Sequence, residues 1–527
     1  MKKTVAVAAL SSLMVLGLAA ASQAADATTT TPAVAAGSSL ITIDGSIRER
    51  GAYDKYNYTN GTPGHSSYDS RVQLGVKAQV SPEASGYIKL ETGTGNGDTQ
   101  TWGTENTEVV GNSDNLTEGG GKLNGLTILE SWVNYKKDMF GVKVGHMPLA
   151  LGNKIFFDHT GSGDDAVVIY ADPAASTHIG ALAIKFKEGL PNNANDDLDG
   201  YVALVTHKIN DNLNFGANWT YLRGRGDTYT LGDTAADGDW NTDGTFIGDV
   251  FTGANGASLY EMALNGNMTP ARSLEGGNFP GLSLSNIGLN VDGKFGPISF
   301  MADLEAQFGH IAKFDNEAGK SIVVKAEGFA AKVGGNYDLG LGKVGLVFGY
   351  GSGTDQKSMV KDLGKAAAGT SMEVEGDTFI NFLTDTTYDT IIAGYRGGIP
   401  GAGWGENNTR GGRSSGLSNL TLYQLNGSAK AVCPLSGKDL NLFASASYMQ
   451  LSEDTYRYVK ANGDPKMVDN VGTELDMIAT WALSPGLSYK VEAAYLFVGD
   501  VYETSKNGDG STPDNQMFLR HGLELKF

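Results

Sequence analysis

The stretch "ISFMADLEAQF", Ile298 to Phe308, separates into two interleaved sets. Ile298, Phe300, Ala302, Leu304, Ala306 and Phe308 are apolar. Ser299, Asp303, Glu305 and Gln307 are polar, with Met301 the one exception. A repeat of two places the sets on opposite faces of a β-strand. "LNFGANWTY" (213–221) and "VGTELDMIATWAL" (471–483) alternate in the same way. Each run is about ten residues, the length at which a tilted strand crosses a bilayer.

The connections between such runs are of two kinds. Short ones fall at 81–86, 136–141, 171–177, 209–212, 292–297, 338–343, 434–439 and 484–486. Long ones fall near 54–67, 93–125, 148–163, 188–199, 223–281, 309–322, 351–416, 451–470 and 500–514, and the two kinds alternate. The count predicts an all-β, antiparallel, up-and-down transmembrane barrel of eighteen strands. Short turns would lie on the periplasmic side and long loops outside. The strand at "AVVIY" (166–170) is the shortest, and sixteen strands follow if it is discounted. Lipid offers no partner for backbone N–H and C=O groups, so a sheet that crosses it must close on itself. Aromatics near strand ends, Tyr53, Tyr68, Trp219, Tyr221, Tyr337, Tyr350, Tyr448, Tyr489 and Phe497, fit the two interfacial girdles. A propeller would repeat every 40–50 residues or so, and no such period is present.

The beginning of the chain reads as an export signal. Met1-Lys2-Lys3 precedes an apolar run from Val5 to Ala21, and Ser22-Gln23-Ala24 suits a signal peptidase. Residues 1–24 are therefore expected to be cleaved, 25–39 to be a flexible lead-in and 40–527 to be the barrel. The formal charge of −19 argues against a nucleic-acid partner. The single cysteine, Cys433, excludes an intramolecular disulfide, and its place at a strand end suits a small apolar filler. Glycine, 73 of 527 residues, is about twice its usual share, which disfavours helices.

Several segments resemble Gram-negative porins. "ITIDGSIRERGAYD" (41–54) is similar to a first porin strand with inward arginines. "DSRVQLGVKAQVSPEASGYIKLETG" (69–93) and "ESWVNYKKDMFGVKVGHM" (130–147) resemble the hairpins that follow. "GTELDMIATWALSPGLSYKVEAAYLFVGD" (472–500) resembles hairpins of the eighteen-stranded alginate-export barrels. The last residue, Phe527, with Leu525 and Leu523 at alternate positions, is similar to the signal read by the barrel-assembly machinery. Together these segments cover about a third of the chain. The partners implied are that machinery, outer-membrane lipid and lipopolysaccharide, a homotrimer, and small hydrophilic solutes and ions. The resemblance also implies a third external loop that folds inward, which here would bring Asp158, Asp164 and Asp165 of "NKIFFDHTGSGDDA" (153–166) to a constriction.

On the inward faces, Arg48, Arg50, Arg71, Lys77, Lys89, Glu91, Asp303 and Glu305 are expected to line the pore. A water-filled lumen needs such groups, because they keep it wet and shape the field that ions meet. In "DGDWNTDG", Asp239, Asn241 and Asp243 alternate ahead of Gly244, as in the first half of a calcium loop. The bidentate acid is missing at Val250, so bound Ca2+ is a weak expectation and no other cofactor is indicated. None of the seven histidines falls in a catalytic or metal spacing, and no enzyme is expected.

The expected function is passive diffusion of ions and small hydrophilic solutes. A substrate-specific uptake or export pore is the alternative, as is a sheath around an electron-transfer partner. Acidic loops would concentrate cations at the mouth while the inner arginines would favour anions. These effects oppose each other, and the pattern of residues does not rank them.

Overall fold

Alternation becomes strand wherever one face can meet lipid and the other the lumen, and the chain does this eighteen times. The structure, a computed structural model, describes residues 34–36, 39–55, 64–92, 100–101, 126–187, 197–224, 239–240, 246–247, 281–315, 321–355, 372–383, 390–393, 416–433, 437–459, 465–503 and 513–527. The barrel strands are β1 (Ser39–Lys55), β2 (His65–Gln79), β3 (Ala84–Thr92), β4 (Leu126–Lys137), β5 (Phe140–Met147) and β6 (Asp164–Ala174). They continue with β7 (Thr177–Lys187), β8 (Leu198–Asn210), β9 (Leu213–Gly224), β10 (Ser283–Phe295), β11 (Ile298–Asp315) and β12 (Phe329–Asp338). The last six are β13 (Gly342–Gly351), β14 (Leu420–Val432), β15 (Asp439–Val459), β16 (Pro465–Ser484), β17 (Leu487–Val498) and β18 (Gln516–Lys526).

Each strand pairs antiparallel with its neighbours in sequence, and β1 pairs with both β2 and β18, so the sheet closes. The strand over 166–170 is longer than its apolar core suggests. It runs Asp164–Ala174, because polar residues extend it at both ends along β5 and β7. Val34–Ala36 folds back on the start of β1, within the segment expected to be a flexible lead-in. The expected leader, 1–24, lies outside the described residues.

The outer face is largely apolar. Leu289 of β10 and Leu304 of β11 are exposed register partners, as are Leu346 of β13 and Leu425 of β14, and Val333 and Met477 are exposed on the same face. In water this surface would be a severe aggregation hazard, whereas in lipid it is the solvated face. Tyr68, Tyr337 and Phe497 are exposed near strand ends, as the girdles require, while Tyr448 is exposed in the middle of the long β15. The architecture is that of an outer-membrane barrel, with a closed sheet, short turns on one side and long loops on the other.

The seam is closed by the last residue. Gly45 and Phe527 exchange two backbone hydrogen bonds, at 2.9 and 3.1 Å. The Phe527 ring lies over Gly45, where a Cβ would stand 2.9 Å from the ring and 2.5 Å from the Gln73 carbonyl. Removing Phe527 therefore strips both a pair of ladder bonds and the ring that covers the glycine. The expected result is a lower yield of folded barrel in membranes, read by heat-modifiable gel mobility. The conductance of barrels that do insert should stay unchanged, and an unaltered yield would refute the role.

Candidate channel interior

An eighteen-stranded barrel is wider than its own side chains can fill. Two of the external connections enter it. Loop 3 (148–163) forms a small hairpin, with Leu151 N–H donating to Phe157 O at 3.1 Å and His159 N–H to Leu149 O at 2.9 Å. Leu149, Leu151, Ile155, Phe156 and Phe157 are all buried. At its tip Gly152 has φ +51°, and a Cβ there would stand 2.7 Å from Asp303 Oδ2. Only glycine allows both the left-handed turn and that approach to the wall. The next amide, Asn153 N–H, donates to Asp303 Oδ2 at 2.6 Å.

Loop 7 (352–419) enters from the other side, through its described residues 372–383 and 390–393. Phe379, Ile380, Ile392 and Ala393 are buried. Its Phe382–Leu383 pairs in parallel with Phe157–Asp158 of loop 3, and the Phe156 and Phe379 rings meet edge to face at 6.4 Å. Together the loops cover the inner wall from β9 to β16. Asn218, Thr220, Asn286, Gln307, Ala330, Gln424, Ser447 and Glu474 on that wall are all buried.

This arrangement corrects several expectations. Asp303 and Glu305 do point inward, but both are 0 % exposed beneath the loops. Asp303 anchors the tip of loop 3 and Glu305 accepts from Asn286 on β10, so neither meets a passing ion. Asp158 lies in loop 3 but is buried, held by Lys154 Nζ at 3.2 Å and by the Thr160 hydroxyl at 2.7 Å. Asp164 and Asp165 belong to β6 and not to the loop. Asp164 is buried against His159 Nδ1 at 2.9 Å, while Asp165 faces outward, its side chain 72 % exposed, beside His146. Alternation along the strand sends the two acids to opposite faces, so none of the three expected acids lines a constriction.

The opposite half of the barrel, β17–β18 and β1–β5, keeps its inward side chains partly open, and here the basic residues are found. Arg48 and Arg71 are directly opposite each other in register across β1 and β2. Among the described residues, Arg48 and Lys77 make no ion pair. Arg71 comes no closer than 3.9 Å to Glu91, which is also held by Gln73. Arg50 bonds Asp69 at 2.8 Å, Lys89 reaches Glu130 at 3.6 Å, and Arg520 bonds Glu492. Lys143 Nζ stands 3.9 Å above the Trp132 ring. Arg71 and Lys89 keep 20 and 24 % of their side chains exposed, against 1 % for Glu91. Glu91 thus lies behind Arg71, whereas Asp44, Glu130 and Glu524 on this side are half-buried like the bases, with Glu524 opposite Arg48 in register.

Arg48, Arg50, Arg71, Lys77 and Lys89 lie half-buried on the inward face, and Glu91 is buried beside Arg71 and Gln73. The calcium pattern cannot be placed in the same way. The backbone at Asp239–Trp240 pairs with Phe246–Ile247, but Asn241 and Asp243 lie outside the described residues. What the acidic residues did not reveal was the role of the apolar runs. Ile155-Phe156-Phe157 and Phe379-Ile380 are greasy segments inside long polar loops, and a solvated loop has no use for them.

No protein-family model and no curated protein sequence matches the chain. Among solved structures it is similar to OccK10 (OpdN) of Pseudomonas aeruginosa, at 10 % identity and TM-score 0.42, covering 92 % of this chain and 99 % of that one. It is also similar to OccAB4 of Acinetobacter baumannii, at 9 % identity and TM-score 0.46, with coverage of 92 and 98 %. The outer-membrane OmpT of Vibrio cholerae matches at 8 % identity and TM-score 0.36, with coverage of 94 and 100 %. Likeness this distant assigns neither a solute nor a mechanism, and these neighbours give no support to the alginate-export resemblance.

Proposed function

We propose that the chain forms an outer-membrane channel for passive diffusion of small hydrophilic solutes, with a preference for anions. The observation that carries this is the unequal exposure of the charges. The carboxylates of β11 and β16 are buried beneath loops 3 and 7, and Asp69, Glu91 and Glu492 of β2, β3 and β17 are each held by an arginine, while Arg48 and Lys77 make no ion pair among the described residues. The field in the opening is then set by Arg48, Arg71, Lys77 and Lys89, although the whole chain is acidic. An opening narrowed by two packed loops favours selection among solutes over a general pore. It also leaves little room for a threaded electron-transfer partner.

The test is planar-bilayer recording from the purified, refolded barrel under a potassium chloride gradient. Stable openings are expected, with a reversal potential whose sign marks chloride as the more permeant ion. A silent barrel would sink the channel, and a cation-selective one would sink the anion preference.

A further inference from the structure

We propose that Glu474 is the strut that holds loop 7 inside the barrel, and that a side-chain relay on β10 and β11 ties loop 7 to loop 3, so that both are placed as one unit. The strut and the relay stand on geometry alone; their effect on aperture rests on the channel reading above.

Glu474 projects inward from the middle of β16 and is fully buried. Its Oε1 accepts the N–H of Ile391 at 2.7 Å and of Ile392 at 2.6 Å, and its Oε2 accepts the N–H of Ala393 at 2.8 Å. Three consecutive amides converge on one carboxylate only if the chain curls around it, as backbone does around an anion. Among the described residues no lysine or arginine pairs with Glu474. A buried carboxyl group and the three amides it holds, once they lose each other, have no water to replace the lost hydrogen bonds. The loop and the carboxylate therefore hold each other in place.

Loop 7 is pinned a second time on β11. Gln307 Oε1 accepts Ile380 N–H at 2.9 Å, and Gln307 Nε2 donates to Ile380 O at 2.6 Å, as a neighbouring strand would. The same Nε2 reaches Asn286 Oδ1 at 3.3 Å, and Asn286 Nδ2 donates to Glu305 Oε2 at 2.6 Å. Asp303 follows two residues away on the same face and receives the tip of loop 3 through Asn153 N–H. From Ile380 to Asn153 there is thus a line of buried polar groups, and the direct contact of Phe156 with Phe379 runs beside it. Loop 7 spans from β11 to β16 between its two pins. Losing the Glu474 pin frees one end of the span, and the slack passes to loop 3 through the ring contact and the relay.

The experiment uses the full-length barrel in detergent or vesicles and compares wild type, Glu474→Ala, Glu474→Gln and Gln307→Ala. Hydrogen exchange reads the loops directly. In Glu474→Ala the amides of 391–393 should exchange at least about 100-fold faster, the size expected when several buried hydrogen bonds are lost together. Amides of 151–157 in loop 3 should also lose protection, and single-channel conductance should rise. Glu474→Gln, with one acceptor and no charge, should fall between. If Glu474→Ala does not insert, Glu474→Gln and Gln307→Ala give the same readout from either end of the span. Unchanged protection at 391–393 overturns the strut. Loosening there with loop 3 fully protected overturns the relay. Because exchange needs no current, a barrel that proves silent still tests the strut, so the two ideas fail separately.

Discussion

Reversing Arg48 and Arg71 together, to R48E/R71E, should invert the ion selectivity of the barrel. These side chains are register partners on β1 and β2, and Arg48 makes no ion pair among the described residues. The double reversal therefore replaces two inward positive charges by two negative ones within a single patch. Salt screens exposed charge over about 10 Å at 0.1 M, so the patch acts on ions that pass within that distance. The permeability ratio of chloride over potassium should fall by about tenfold or more, enough to change the sign of the reversal potential. Glu305→Gln is the matched control. Its carboxylate is fully buried, so removing its charge should leave the sign unchanged. Selectivity that ignores the arginines and follows Glu305 would mean that the loops do not cover the wall.

Placing a charge on the outer face should be the most damaging single change to stability. Leu304 lies on β11 between the outward Phe300 and Phe308, with Leu289 of β10 beside it, and is 43 % exposed toward lipid. Leu304→Arg puts a guanidinium near the middle of the apolar band, where such substitutions cost about 2–4 kcal/mol. Leu341→Arg is the comparison, because Leu341 sits in a short turn and is 82 % exposed. Near the interface the cost drops to about 0–1 kcal/mol. Equilibrium unfolding in urea from lipid vesicles reads both. Equal, small losses for the two variants would mean that this face does not meet lipid.

Much of this fold is legible from alternation, because a transmembrane strand has only two environments and each residue type states which it prefers. The strand at 166–170 shows where this weakens. Its apolar core is short, and its polar ends become strand only because β5 and β7 offer ladder partners on both sides. Asp303 and Glu305 show a second limit. Their parity put them correctly on the inner face, but parity does not say whether that face meets water or another loop. Loop 3 was expected to turn inward, yet its acids do not form the constriction. The apolar Ile155-Phe156-Phe157 run carries the loop inside, and its contacts come from a segment more than two hundred residues away.

The sequence by itself determined a closed antiparallel barrel of sixteen or eighteen strands, the side of each strand that faces lipid, and the set of charges available to the lumen. Local periodicity and turn length are enough for that, since both act between neighbours along the chain. The tertiary structure alone decided which of those charges matter. An inward carboxylate is silent when loops from distant strands seal it, and an inward arginine counts when its counter-ion lies behind it. That outcome depends on which segments fold into a shared interior, and no local pattern encodes it.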